Sequence, residues 1–450
     1  MSVFARNEPR VLLVGGGARE HAIAEALHRS GASIYACLPN KNPGILSLAK
    51  EHLIVKDADA AAIAAQARAW GVEYAVVGPD GALAAGVTDA LAAAGVKVAA
   101  PTKAAAEIEW NKAFMRDLLE RHRISGRVRY ELHRSEAGLR EAIARMWPLA
   151  VKPLGLTGGK GVKVSGDHVA DVDEALAYAK ECLKDGTVLL EEKVEGEEFS
   201  LMAFCDGTNC VPMPAVQDHK RAFEGDQGPN TGGMGSYSDA GGLLPFVTKA
   251  DLDKGVLILH EILAAMRKEG RPFVGTIYGQ FMLSRDGPRV IEINARFGDP
   301  EAMNVLTLLE SSYLDAVKGM AAGKLDPSKV RFSTKATVCK YVVPEGYGVR
   351  SMAGQPLAVD EKAIAAGGAR CYYAAIDQTG GERGARVEAT TTTSRSVGIV
   401  GIGATLAEAN AAADSALAHV TGPHLYVRRD IGTPALLAKR VETMRRVRGQ

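Results

Sequence analysis

At 450 residues the chain exceeds what a single hydrophobic core serves, and it predicts about three compact units. Apolar residues make up 47% and charged residues 24%, a balance that suits a soluble globular enzyme and excludes a disordered or fibrous chain. The formal charge of +1 excludes a whole-molecule field for nucleic acid or an anionic membrane.

The polar start runs directly into Val11-Leu12-Leu13-Val14, too short and too poorly flanked for a signal peptide, and no run reaches transmembrane length. The six cysteines contain no CxxC pair, so neither a zinc site nor a disulfide framework is expected, and the setting is cytoplasmic. Short apolar runs at 10–14, 33–37, 52–55, 74–77 and 97–99 alternate with alanine-rich helical stretches such as 21–30 and 58–70. That alternation predicts a doubly wound parallel sheet, with a polar loop (Gly78-Pro79-Asp80-Gly81) at the carboxyl end of its fourth strand. The spacing then predicts a helix over 107–122, followed by strand 149–153, a glycine-rich turn 155–161, strand 162–165, helix 171–183 and strand 187–193. This order describes an α+β unit and not another doubly wound repeat. A hairpin at 199–206 and 210–214, a helix near 249–269, a hairpin at 279–283 and 289–294, and a helix near 301–322 complete the middle of the chain. Strands at 334–342, 371–377 and 397–402, with closing helices, form a third, smaller module. The expected boundaries are 1–103, 104–330 (with a lid about 124–195) and 331–450.

Several segments carry chemistry. Gly15-Gly16-Gly17-Ala18-Arg19-Glu20-His21 joins the first strand to the first helix. The G-x-G-x-x-G fingerprint fails at Glu20, yet small residues at a helix start still admit an anion. Lys152-Pro153-Leu154-Gly155-Leu156-Thr157-Gly158-Gly159-Lys160-Gly161 joins two strands and lacks the Ser/Thr of a Walker A loop. Lys152 sits on the strand, opposite in face to Leu149 and Val151, where its ammonium reaches toward a phosphate, and the glycines let the loop fold over it. The acidic run Glu191 to Glu198, turning at Gly196, has the layout of a nucleotide hinge, although a solvated face is the commoner use of such a run. Gln217-Asp218-His219-Lys220-Arg221 through Gly235 has no apolar period and is expected to be neither helix nor strand; a loop of that length is uncommon unless functional. In Val290–Asn294, Ile291 and Ile293 are expected to face a core, while Glu292 and Asn294 share the other face as a hard oxygen pair suited to Mg²⁺. Nothing forms an HExxH motif or a Ser-His-Asp set, so covalent catalysis is not indicated.

Together, GGGAREHA (15–22), QDHKR (217–221), GPNTGGMGSYS (228–238) and IEINARFGDPE (291–301) resemble the phosphoribosylamine–glycine ligase family of ATP-grasp enzymes, from about Val11 to the last helices. The resemblance implies a central ATP-grasp α+β unit with a mobile lid, between the parallel-sheet unit and a small C-terminal α+β unit. It implies ATP-driven joining of glycine to 5-phosphoribosylamine through a glycyl phosphate, with Mg²⁺ or Mn²⁺ as cofactor. Gln280, Glu292 and Asn294 match the metal ligands. Lys112, Lys152, Gly158, Gly159, Lys160, Gly161, Glu191, Glu192, Val194 and Glu198 match the nucleotide site, with the backbone of 192–194 at the adenine and Glu198 at the ribose. Gly17, Arg19, Glu20, His21, Asp218, His219, Lys220, Asn230, Thr231, Gly232, Gly233, Met234, Gly235, Arg296 and Asp299 match positions around the other substrates, and Arg296, Lys152 and Lys220 the catalytic groups. Small molecules are the only implied partners, in a monomer or small homo-oligomer. Ala18, Pro153-Leu154 and the 78–81 loop depart from the family pattern, which bears on the first unit's substrate affinity. A sister ATP-grasp carboxylase or formate-dependent transformylase, or a non-catalytic ATP-binding paralogue, remains as an alternative.

Overall fold

The structure is a computed structural model that describes residues 8–155 and 161–450. Its first sheet has five parallel strands in the order Ala49–Ile54, Ser33–Leu38, Arg10–Val14, Tyr74–Val77, Lys97–Val98. Val11 to Val14 are completely buried, as a central parallel strand covered on both faces requires. The strand order reverses between Arg10–Val14 and Tyr74–Val77, so Gly15–Gly17 and Gly78–Asp80 meet at the topological switch point, where such sheets open a crevice.

Two antiparallel sheets form the middle of the chain. One runs Tyr130–His133, Val188–Glu192, Leu149–Pro153, Lys163–Val164 and closes over its own small core of Leu139, Ile143, Val151, Ala175 and Leu190. The other runs Cys210–Pro212, Glu197–Asp206, Val274–Ser284, Gly287–Asn294. Its core is continuous with that of the parallel sheet. Cys205 and Cys210 are cross-strand partners at the expected turn, and all six cysteines are buried and free. Glycyl residues 158 and 159 and Lys160 lie outside the described residues.

Four local expectations are corrected. The helix expected over 107–122 is two helices, Lys103–Trp110 and Lys112–Arg121, because Asn111 leaves helical geometry (φ −106°, ψ 85°) and caps the second through Phe114 N–H at 3.0 Å. The helix near 301–322 divides into Glu301–Leu308 and Tyr313–Ala321, with Ser312 capping the second. The strand expected over 371–377 ends at Tyr373, and a new one starts at Ile376. The 217–235 segment contains strands after all: Gln217–Asp218 pairs with Gly235–Ser238, which pairs with Ala336–Pro344. A segment without apolar period is thereby drawn into the C-terminal sheet, which continues through Val397–Gly403 and Arg370–Tyr373. Its backbone, not a hydrophobic face, carries the pairing. Among the described residues no helix is long and apolar enough to cross a membrane.

Candidate functional site

The strand Gly287–Asn294 ends on the expected oxygen pair. A bulge opposite Gln280 and Phe281 pairs Glu292 with Gln280 but Val290 with Phe281, leaving Ile291 without a cross-strand partner. Ile291 is therefore only half-buried, and Val290 and Ile293 form the buried face in its place. The carbonyls of Val290 and Ile291 are satisfied by Arg116, at 2.9 and 2.8 Å. Glu292 and Asn294 share a face, with Asn294 Nδ2 donating to Glu292 Oε1 at 3.4 Å. Burial would raise the Glu292 pKa, but the Lys220 and Lys152 ammonium groups, with Asn294 and Arg296, hold it below the ordinary value. Across the strand, Gln280 donates from Nε2 to Glu198 at 2.5 Å and accepts at Oε1 from the Tyr278 hydroxyl at 2.6 Å. Among the described residues no group of three or more His, Cys, Asp or Glu is arranged to hold a metal. One carboxylate and two amides on one sheet face nevertheless form a hard oxygen set of the kind Mg²⁺ takes; Lys220 and Lys152 already offset the Glu292 charge, so such a cation would need further anionic ligands such as phosphates.

On the strand Leu149–Pro153, Lys152 does not extend freely. It is 6% exposed and donates to Glu191 Oε2 at 2.5 Å. Glu191 also receives both Nε and Nη2 of Arg116, at 2.7 and 2.8 Å. Burial raises the Glu191 pKa, but the two cations overcome it and push it down to about 2. Lys112 Nζ donates to Gly155 O at 2.5 Å, where the glycine-rich segment begins. In the acidic run, the amides of Glu192 and Lys193 are taken by Arg129 O and Pro148 O at 3.0 and 3.1 Å. Among the described residues none accepts from Val194 N–H. Strand alternation separates the last two glutamates of the run: Glu197 turns toward Arg440 (3.4 Å), while Glu198 meets Gln280 and lies 3.6 Å from Lys220.

The QDHKR segment alternates in the same way. Asp218 and Lys220 face the oxygen pair. Burial, reinforced by Glu301, raises the Asp218 pKa well above the ordinary value, and its Oδ1 has no hydrogen-bond partner. For Lys220, burial acts to lower the pKa, but Glu198, Glu292, Asp218 and Glu301 raise it above its ordinary value. His219 points the other way, 2% exposed, among Arg440, Arg428, Asp226 and Asp430, and burial pushes its pKa down to about 3. It does not join the site. The family resemblance implies that the 230–235 amides surround a substrate, but the fold uses most of them internally: Thr231 N–H donates to Lys220 O (2.7 Å), Gly233 N–H to Thr231 Oγ1 (3.2 Å) and Met234 N–H to His219 O (2.8 Å). Asn230 pairs with Arg221 in a small ribbon. Gly235 must be glycine: its φ is +153°, and a Cβ there would lie 2.3 Å from Cys339 O.

Arg296 follows the oxygen pair. Its Nη2 lies 2.8 Å from Glu109 and 3.3 Å from Asn294 Oδ1, its Nη1 donates to Phe297 O at 3.2 Å, and its Nε is buried without a partner. Asp299 accepts from the Tyr341 hydroxyl at 2.5 Å and lies 3.1 Å from Arg395 Nη2. From the parallel sheet, Gly17 N–H donates to Glu20 Oε2 at 2.8 Å, and Arg19 bridges Glu20 Oε1 (2.6 Å) and Phe297 O (3.3 Å), tying the switch point to the 295–301 loop. His21 is turned away. Its ring is fully buried, accepts from Tyr373 N–H at 2.9 Å and stacks on the Tyr373 ring. A separate surface cleft of ≈ 1110 Å³, which includes Arg29, Tyr313 and Lys318 in its lining, shares no lining residue with this site.

Sequence reasoning missed Glu109, Arg116, Tyr278, Glu301, Tyr341 and Arg395. Glu109 and Lys112, three apart around the helix break, carried the only local signal. Arg395 comes from the C-terminal unit and has none.

Comparison with known proteins is consistent along the chain. Residues 9–109, 110–302 and 337–434 match the phosphoribosylglycinamide synthetase N domain, ATP-grasp (A) domain and C domain. The phosphoribosylamine–glycine ligase of Methanoregula boonei is 50% identical over 441 residues, covering 97% of this chain and 99% of that protein. That of Methanosarcina barkeri is 46% identical over 443 residues, covering 98% and 100%. The crystal structure of the Thermotoga maritima phosphoribosylamine–glycine ligase superposes with a TM-score of 0.77 at 25% identity, covering 94% of this chain and 99% of that one. With the three domains of one family matched in order, the chain belongs to the phosphoribosylglycinamide synthetase family.

Proposed function

We propose that this chain is an ATP-dependent ligase that joins glycine to 5-phosphoribosylamine, giving glycinamide ribonucleotide, ADP and phosphate in purine biosynthesis. The observation that carries the reading is the meeting of three sets of groups: Lys152 from the lid, Glu292 and Asn294 from the central sheet, and Lys220 from the C-terminal sheet edge. Such a meeting suits phosphoryl transfer, which needs positioning and charge neutralisation more than a covalent group.

A glycine carboxylate oxygen attacks the γ-phosphorus of ATP, the β–γ bridging bond breaks, and ADP leaves. The phosphoribosylamine nitrogen then attacks the acyl carbon, phosphate leaves, and the amine gives up a proton. In this scheme Lys152, held in place by Glu191, and Lys112 take the phosphates. Lys112 exchanges Gly155 O for a phosphate oxygen. The adenine edge meets the Glu192 carbonyl and Val194 N–H, an amide for which no acceptor stands among the described residues. Glu198 serves the ribose. Gln280, Glu292 and Asn294 would hold Mg²⁺ (or Mn²⁺), which when bound neutralises phosphate charge. Arg296 directs its unpaired Nε–H at the transferring phosphoryl group. Asp218, Lys220, Asp299 and the switch-point loop with Arg19 and Glu20 enclose glycine and phosphoribosylamine. The units 1–103, 104–330 and 331–450 divide the work, the second supplying the nucleotide half. Small molecules are its only partners, and a cytoplasmic location fits the buried, free cysteines.

The test is ADP release with ATP, Mg²⁺ and freshly generated phosphoribosylamine, with and without glycine. Glycine-dependent ADP matched by glycinamide ribonucleotide is the expected result. ATP binding with no glycine dependence would overturn it.

A further inference from the structure

The C-terminal unit reaches the site through a side chain that no motif marks. Arg395 lies just before the strand Val397–Gly403, and its side chain is 14% exposed. Its Nη1 sits 2.5 Å from Gly232 O, 3.2 Å from Gly233 O and 3.0 Å from Asp299 O, and its Nη2 sits 3.1 Å from Asp299 Oδ2. The guanidinium carbon lies 4.6 Å from the centre of the Tyr341 ring, whose hydroxyl donates to the other Asp299 oxygen at 2.5 Å. One planar group thus touches both loops expected around the non-nucleotide substrates.

Each loop carries a group that faces the reaction. On the first, Thr231 donates to Lys220 O from both N–H and Oγ1, at 2.7 and 2.8 Å, so the position of 231–233 fixes the Lys220 backbone. Gly233 also abuts Asp218: a Cβ there would lie 2.7 Å from Asp218 Oδ1. On the second loop, Asp299 lies three residues beyond Arg296. Among the described residues no hydrogen bond or ion pair joins Arg395 to the nucleotide-side groups Lys112, Lys152, Glu191 and Glu198.

We propose that Arg395 is a positioning residue that locks the 230–235 and 295–301 loops together, so that the C-terminal unit completes the substrate half of the site and leaves the nucleotide half untouched. The proposal rests on the ligase reading above. A lysine cannot replace the arginine, because a single ammonium lacks the planar fork that reaches three carbonyls and a carboxylate at once.

The experiment compares wild type, Arg395→Met, Arg395→Lys and Tyr341→Phe. The readouts are kcat/KM for glycine and for phosphoribosylamine, the calorimetric Kd for ATP, and the thermal midpoint. Arg395→Met is expected to lower both kcat/KM values about thirtyfold or more, with the Kd for ATP within about twofold of wild type. Arg395→Lys should recover only part of that loss. Tyr341→Phe, which keeps the ring and removes one hydroxyl, should show a smaller loss in the same two parameters, and it carries the test if Arg395→Met does not fold. Unchanged kcat/KM values, or a loss of ATP affinity by the same factor, would overturn the proposal. A wild type without glycine-dependent turnover would overturn the ligase reading itself, a result visible before any variant is compared.

Discussion

Glu109 and Arg296 meet across 2.8 Å in a buried pocket, although 187 positions separate them and they arise from different elements. Glu109 lies at the end of the helix Lys103–Trp110, next to the break at Asn111, and its second oxygen accepts from Ala295 N–H at 2.8 Å. One carboxylate therefore fixes both the guanidinium and the backbone that follows the oxygen pair. Burial lowers the Arg296 pKa, but Glu109 and then Asp80 raise it above its ordinary value, so Arg296 stays charged. Removing Glu109 takes the counter-charge from the part-buried Arg296 guanidinium, which keeps Asn294 Oδ1 and Phe297 O, and leaves the Ala295 amide without an acceptor, a class of change that costs about 1–3 kcal/mol. Glu109→Ala is expected to lose about that much in urea unfolding, and to lose turnover on top of it. Glu109→Gln keeps an acceptor for Ala295 and should lose less of both. If Glu109→Ala unfolds like wild type, the pair is not what organises this corner.

Glu292→Ala should abolish glycine-dependent turnover while leaving the fold intact. Its carboxylate faces Lys220 and Lys152, and it carries the only formal negative charge of the proposed Gln280, Glu292 and Asn294 ligand set. Loss of one such charge-organising group costs roughly 3 kcal/mol, about a hundredfold or more in rate. Activity near wild type with Mg²⁺ in excess would refute the metal assignment.

How much of this was legible in the sequence differs by element. The parallel sheet was readable because fully buried strands leave continuous apolar runs, as in Val11–Val14, punctuated by Gly15 and Gly78. The oxygen pair was readable from strand alternation, but the bulge at Ile291 was not, because a bulge depends on what Arg116 does to two carbonyls from another element. The strands at 217–218 and 235–238 were illegible because their own side chains carry no period, and the strand that anchors 235–238 in the sheet, Ala336–Pro344, lies about a hundred residues away. His21 and His219 sit inside recognisable motifs. Only the structure shows that the His21 ring turns onto Tyr373 and the His219 ring into the cluster of Arg428, Arg440, Asp226 and Asp430 while their motif mates face the site. Arg395 was invisible for the same reason: its partners are set by tertiary packing and not by spacing.

Lys220→Ala should weaken the use of phosphoribosylamine more than the binding of ATP. Lys220 stands amid Glu198, Glu292, Asp218 and Glu301, and its removal leaves those carboxylates mutually repelling at the substrate side of the site. The expected pattern is a rise of about tenfold or more in the KM for phosphoribosylamine, with the calorimetric Kd for ATP shifting by less. An equal weakening of both would show that Lys220 serves the nucleotide.

Stability should fall as the medium is acidified from about pH 6.5, before most carboxylates titrate. His21 is held neutral, first by burial and then by Arg383, well below its ordinary value of 6.5. His219 is pushed to about 3 by burial, with Arg440 and Arg428 adding to the shift and Asp226 and Asp430 opposing it. Both histidines protonate in the unfolded chain at pH 6.5 while the folded chain keeps them neutral. Below that pH the unfolded state binds more protons, so folding loses roughly 1.4 kcal/mol per pH unit for each histidine. Above pH 7.5 neither group contributes. Urea midpoints at pH 7.5, 6.0 and 5.2 should show that slope, and His219→Gln should remove about half of it. A His219→Gln variant with the wild-type slope would mean that the His219 ring acquires its proton within the fold.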